Sequence, residues 1–194
     1  MPVIARRVLI APGEMAEDAH EAVSGGGRVD DAEVRAQLER VRGRISEEES
    51  VPELDLQANL RLMGLRIRAA WLLVADGRYD DAVKAAEGAN RARSAAMAAS
   101  SGPGYGGAVS WEACEVEAVT WLARGKWRRA EKAAQRALSD FDEQIDNYRL
   151  FELAQQAQGK VRADRVWKAF EDPAQALAEF DAHAYAIRKL GDGA

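Results

Sequence analysis

"GRYDDAVKAA", Gly77–Ala86, stands between two alanine- and leucine-rich stretches, and its reading decides the fold. Gly77 can take the positive φ that ends a helix. Asp80 and Asp81 suit the positive end of the dipole of a following helix, and the small Ala82 lets the two helices approach closely. The same grammar recurs as "GRVDDAEVRA" from Gly27 and "GKWRRAEKAA" from Gly125, at nearly equal intervals. A weaker fourth copy puts Glu171 at the glycine position, Pro173 at the aromatic one and "AQALAEF" after it. Regularly spaced turns of this kind mark a series of helical hairpins.

Upstream of Gly77, Leu56, Leu60, Met63, Ile67 and Leu73 recur at three- and four-residue steps, and Leu62, Leu65, Trp71, Leu72 and Val74 widen the stripe. This predicts a helix buried on more than one side. Downstream, a second helix runs to the Ser100/Ser101 boundary, where "SSGPGYGG" is the clearest loop. Ser110 is placed to cap the next helix, with Ala113, Val116, Val119 and Leu122 on one side. "RGK" interrupts at Gly125, and the helical period resumes at Trp127. One long helix is predicted from Asn147 to Lys168, and another from Pro173, which fits a first turn, to Leu190. Near the N-terminus, Glu14–Val23 and Asp30–Ile45 read as two helices of a degenerate first hairpin, and "SEEES", residues 46–50, as a solvated linker. The fold class is all-α: an N-terminal arm and helical region over 1–50, a repeat domain over 51–190 and a disordered tail over 191–194.

Two units carry a recognisable pattern: Ala70, Leu73, Gly77, Tyr79, Ala82 and Ala89, then Ala118, Trp121, Gly125, Trp127, Ala130, Ala137 and Leu138. This resembles the tetratricopeptide repeat (TPR). The resemblance covers about residues 56–140 and implies a short α-solenoid of stacked antiparallel hairpins; an antiparallel bundle satisfies the same periodicities. The sequence departs from the family in its turn intervals, which exceed the usual ~34 residues. Ala86 and Ala134 stand where an aromatic is expected, and Arg66 and Cys114 where a tryptophan is. The resemblance implies binding on the concave face of the first helices, here Gly64, Ile67, Trp71, Val74 and Ala75, then Glu112, Glu115, Val119, Leu122 and Ala123. The Lys, Arg and Asn that form the family's carboxylate clamp are absent from these positions. The mostly apolar face suits an amphipathic helix, or the chain's own terminal helix folded back.

Composition sets outer bounds. With 47% hydrophobic and 30% charged residues among 194, the chain has the make-up of a globular protein. The single cysteine, Cys114, excludes an intramolecular disulfide and a cysteine-rich zinc site and reads as a core thiol. The longest apolar run, Ala69–Ala75, falls far short of the ~20 residues of a membrane span, and Val8–Ala11 is too short for a signal-peptide core. These features point to a cytoplasmic protein.

The net charge of −5 is unevenly placed: between residues 53 and 139 thirteen basic side chains face ten acidic ones, while both flanks are acidic. Such a total argues against general nucleic-acid binding, which requires a concentrated basic surface. The concentrated cations are Arg124, Lys126, Arg128, Arg129, Lys132 and Arg136, with Arg128, Lys132 and Arg136 on one helix face. Arg128 and Arg129 stand where the other units have aspartates, opposing the helix dipole. The stripe reads as a docking face for an acidic peptide or phosphate-bearing ligand, or as pairing with acids of a neighbouring hairpin.

The two histidines supply the competing chemistry. His20 lies near Glu17, Asp18 and Glu21, with the Glu-x-x-His spacing of di-iron bundles, and His183 lies near Asp181. A helical-bundle enzyme or metal-binding protein is therefore the alternative reading. Trp111 and Tyr105 flank the glycine loop and read as aromatics covering it or as exposed anchors at an interface, while Trp71, Trp121 and Trp127 fit the interior of the repeat. The leading expectation is a non-catalytic interaction module without a cofactor. Its partner is a protein or peptide, acidic in the basic-face version, or a second copy of the chain.

Overall fold

The computed structural model describes residues 31–51, 55–101, 110–140, 145–162 and 168–191. Among these residues the chain forms helices joined by turns and irregular segments, without strands. The helices are α1 (Asp31–Glu49), α2 (Leu56–Ala75), α3 (Tyr79–Ser101), α4 (Trp111–Ala123), α5 (Trp127–Asp140), α6 (Ile145–Gln156), α7 (Pro173–Ala178) and α8 (Ala182–Gly191). None is long and apolar enough to cross a membrane. The predicted helix at Glu14–Val23, the turn at Gly27, the glycine loop with Tyr105, and the tail after Gly191 lie outside the described residues.

Glycine turns organise the hairpins as the repeat pattern requires. Gly77 has φ 72° and Gly125 φ 65°. At the first turn Gly77 N donates to Val74 O and Arg78 N to Leu73 O; at the second, Gly125 N donates to Leu122 O and Lys126 N to Trp121 O. These paired bonds satisfy carbonyls that a helix end would otherwise leave bare. The third turn corrects the sequence reading. It falls not at Glu171 but at Gly159, also at φ 65°, where Gly159 N donates to Gln156 O and Lys160 N to Gln155 O. The helix predicted to run to Lys168 therefore ends at Gln156.

The last predicted helix is likewise two. Asp172 caps α7, its carboxylate accepting from Ala174 N and Gln175 N at 3.0 Å, with Pro173 in the first turn as expected. Asp181 then starts α8 by accepting from His183 N at 2.8 Å and Ala184 N at 3.2 Å. "SEEES" is no linker: α1 runs on to Glu49, where Glu48 pairs with Arg61 at 2.8 Å and Glu49 with Arg66. The acids that look solvated in the sequence fasten α1 to α2.

Packing follows from alanine. Ala82, Ala86 and Ala89 on α3, and Ala130, Ala133, Ala134 and Ala137 on α5, are fully buried. Their small side chains bring each second helix close against the first, where Leu72, Val74, Val116 and Val119 fill the interior. α2 meets α4 and α4 meets α6, forming an inner layer; α3 and α5 lie outside it.

Candidate functional site

The inner layer offers a groove between α2 and α4, and α8 lies across it. Ala182 and Ala186, one turn apart, form the buried stripe of α8. His183 Nδ1 stands 2.7 Å from Ala75 O and donates to this carbonyl at the last residue of α2. The Tyr185 ring packs 5.8 Å from that of Trp71, tilted by 32°. Beyond the ring, the Tyr185 hydroxyl donates to Glu115 Oε1 at 2.6 Å. Lys189 Nζ sits 2.8 Å from both Glu115 Oε1 and Asp146 Oδ2, while Arg188 reaches Asp146 at 3.3 Å and lies over the Tyr185 ring.

This cluster ties α8 to α4 and α6 through buried charge. Glu115 is 1% exposed. Burial pushes its carboxyl above the usual range, against the pull of Lys189 and Tyr185. At Asp146 the upward push of burial is outweighed by Lys189 and Arg188, which hold the carboxyl below its ordinary value. Burial lowers the Lys189 ammonium, but the two acids more than reverse this and raise it. The Tyr185 hydroxyl is pushed well above its usual range by burial and then by Glu115 and Asp146, so it remains a donor. Asn147, next to Asp146, is fully buried with neither amide atom hydrogen-bonded to a described residue.

The second candidate is the basic helix face. Its cations fall into two groups. Arg124 pairs with Asp80 across the hairpins and lies 5.3 Å from the Trp121 ring centroid; Arg129 lies over the same ring at 4.8 Å. Arg136 pairs with Glu117, whose burial raises its carboxyl despite that cation. Lys126, Arg128 and Lys132 are exposed and have no ion pair among the described residues. Beside them an open cleft of about 530 Å³ is lined by Trp121, Arg129, Lys132, Gln135, Arg136 and Ser139.

The remaining predicted residues are distributed as follows. Trp71, Val74, Ala75, Val119 and Leu122 are buried, and Ile67 packs against the core; these residues are not an open binding face. Glu112 accepts from the Ser110 hydroxyl, which therefore makes no side-chain cap of α4. Cys114 is buried, as expected of a core thiol. His183 and Asp181 are both engaged in seating α8. No group of three or more His, Cys, Asp and Glu among the described residues is placed to hold a metal ion; Glu17 and His20 lie outside them.

Asp146, Tyr185, Arg188 and Lys189 were not singled out from the sequence. The one local signal was the spacing of Tyr185 and Lys189, one helical turn apart. Their partners Glu115 and Asp146 come from distant helices, and no local pattern connects them.

Comparison with family models, with curated proteins and with solved structures found no match. The functional reading therefore rests on the geometry of the chain itself.

Proposed function

We propose that this chain is a non-catalytic interaction module, TPR-like in its hairpins, that holds an acidic segment of another protein on the basic face of α5. The observation that carries this reading is the set Lys126, Arg128 and Lys132, which are exposed, lack ion pairs among the described residues and gather at the start of α5. Cations there oppose the helix dipole, and an acidic ligand relieves that opposition. The neighbouring cleft supports the same reading: the Trp121 ring offers an apolar surface, while Arg129 and Lys132 supply donors for carboxylates or phosphates.

The test is fluorescence anisotropy of a labelled glutamate-rich peptide at low salt, with the full chain and with Arg128→Glu plus Lys132→Glu. The double variant is expected to keep its helical circular dichroism and melting temperature and to bind about tenfold more weakly or worse. Undiminished binding by the folded variant would sink the reading.

A further inference from the structure

α8 closes the groove between α2 and α4 with fewer buried large apolar side chains than α2 has. It has 10 residues, fewer than the about 12 to 15 that sustain an isolated helix in water; only Ala182 and Ala186 are buried, while Tyr185, Ile187 and Leu190 pack half-buried against the core. By contrast, α2 buries Leu62, Leu65, Trp71, Leu72 and Val74. Much of the grip of α8 is polar: the Tyr185 hydroxyl on Glu115, Lys189 between Glu115 and Asp146, and His183 on the Ala75 carbonyl. Elements held by few buried apolar contacts open locally before the rest of a fold does.

The floor that α8 covers has a defined chemistry. Trp71 offers a face for an aromatic ring, as it does for Tyr185. Glu115 and Asp146 are acids whose cation comes from α8; once Lys189 leaves, Asp146 keeps Arg149 at 3.5 Å, whereas Glu115 retains no cation among the described residues. A ligand for this floor needs an aromatic residue, a cation one helical turn further on and small residues between them.

We propose that this groove is the docking site for a helix of a partner protein carrying an aromatic residue and a lysine or arginine one turn apart, with α8 as its resident competitor. Charge complementarity selects this occupant: the floor is acidic, so the helix it takes is basic. This partner is opposite in charge to the one drawn to α5 and uses a different surface, so the two proposals fail separately. Tethering gives α8 an effective concentration on the order of millimolar, and the apparent affinity of the incoming helix scales with the fraction of open molecules.

The experiment uses a labelled peptide with the sequence of residues 180–191 and the full chain bearing Lys189→Glu, which sets a third carboxylate against Glu115 and Asp146. The folded variant is expected to bind the peptide about tenfold more tightly than the unaltered chain. A peptide with glutamate in place of its lysine should show no such gain. In the unaltered chain, amide hydrogen exchange should be faster across α8 than across α2. Equal protection of α8 and α2 overturns the proposal, as does a folded variant with no gain in binding. If Lys189→Glu fails to fold, Tyr185→Ala carries the same comparison, and collapse of both shows α8 to be structural core. A concentration-dependent dimer of the unaltered chain that exchanges α8 between copies also overturns it, by making a second copy the occupant.

Discussion

At Gly125 the chain needs a backbone that other residues take up only under strain. Its φ of 65° lies in the left-handed region, so the backbone rather than crowding penalises a side chain there. Gly125→Ala is expected to cost about 1 to 2 kcal/mol, read as a lower denaturant midpoint. Gly43 is the opposite case: it lies inside α1, with open space where a Cβ would stand. Gly43→Ala should stabilise by about 0.5 to 1 kcal/mol. The acids under α8 also differ in sign. The Asp146 carboxyl is held below its ordinary value, so its contribution is complete above about pH 3.9 and is lost as pH falls through the lower folded value. Glu115 is raised by burial; its contribution is complete below about pH 4.3 and is lost as pH rises through the higher folded value. Asp146→Asn should therefore cost roughly 2 kcal/mol at neutral pH and flatten the acid limb of a stability-versus-pH curve. Glu115→Gln should cost less and remove the decline above pH ~4.3.

Among the elements, α6 shows how a helix can end well short of its apolar pattern. Leu150 and Leu153 are buried and continue the expected stripe, yet Gly159 turns the chain after Gln156. The following segment returns to α6 through Glu152, whose carboxylate accepts from Ala169 N at 2.7 Å and Phe170 N at 2.9 Å. Placed within the helix, this carboxylate anchors the approach to α7 and α8. Glu152→Leu leaves two backbone donors without this acceptor and should cost about 1 to 3 kcal/mol for each that stays buried. Hydrogen exchange at Ala169 and Phe170 should quicken, with α2 and α3 little changed. The same limit applies to α1: "SEEES" reads as solvated because neither Arg61 nor Arg66 is near it in sequence, yet both meet it in the fold.

Across the whole molecule, the basic centre seen in the sequence divides into cations with internal duties and cations without them. Arg136 holds the buried Glu117, whereas Arg128 and Lys132 have no ion pair among the described residues. Arg136→Glu is expected to destabilise by roughly 1 to 2 kcal/mol, reduced from the cost at a dry site because the guanidinium is about half exposed. Thermal melts of this variant beside the Arg128→Glu, Lys132→Glu pair separate structural charge from charge available to a partner.

Helical periodicity, the glycine turns at Gly77 and Gly125 and the buried alanines of α3 and α5 were legible in the sequence because each depends on residues within a few turns of one another. The same holds for Pro173 in the first turn of α7 and for the cationic start of α5. Which cations remain available, where the third turn falls and what covers the groove were decided only in three dimensions. The fold brings Asp146, Tyr185 and Lys189 from two other helices into one cluster around the buried Glu115 of α4. Local spacing determines which face a helix buries; the path of the whole chain determines what it is buried against.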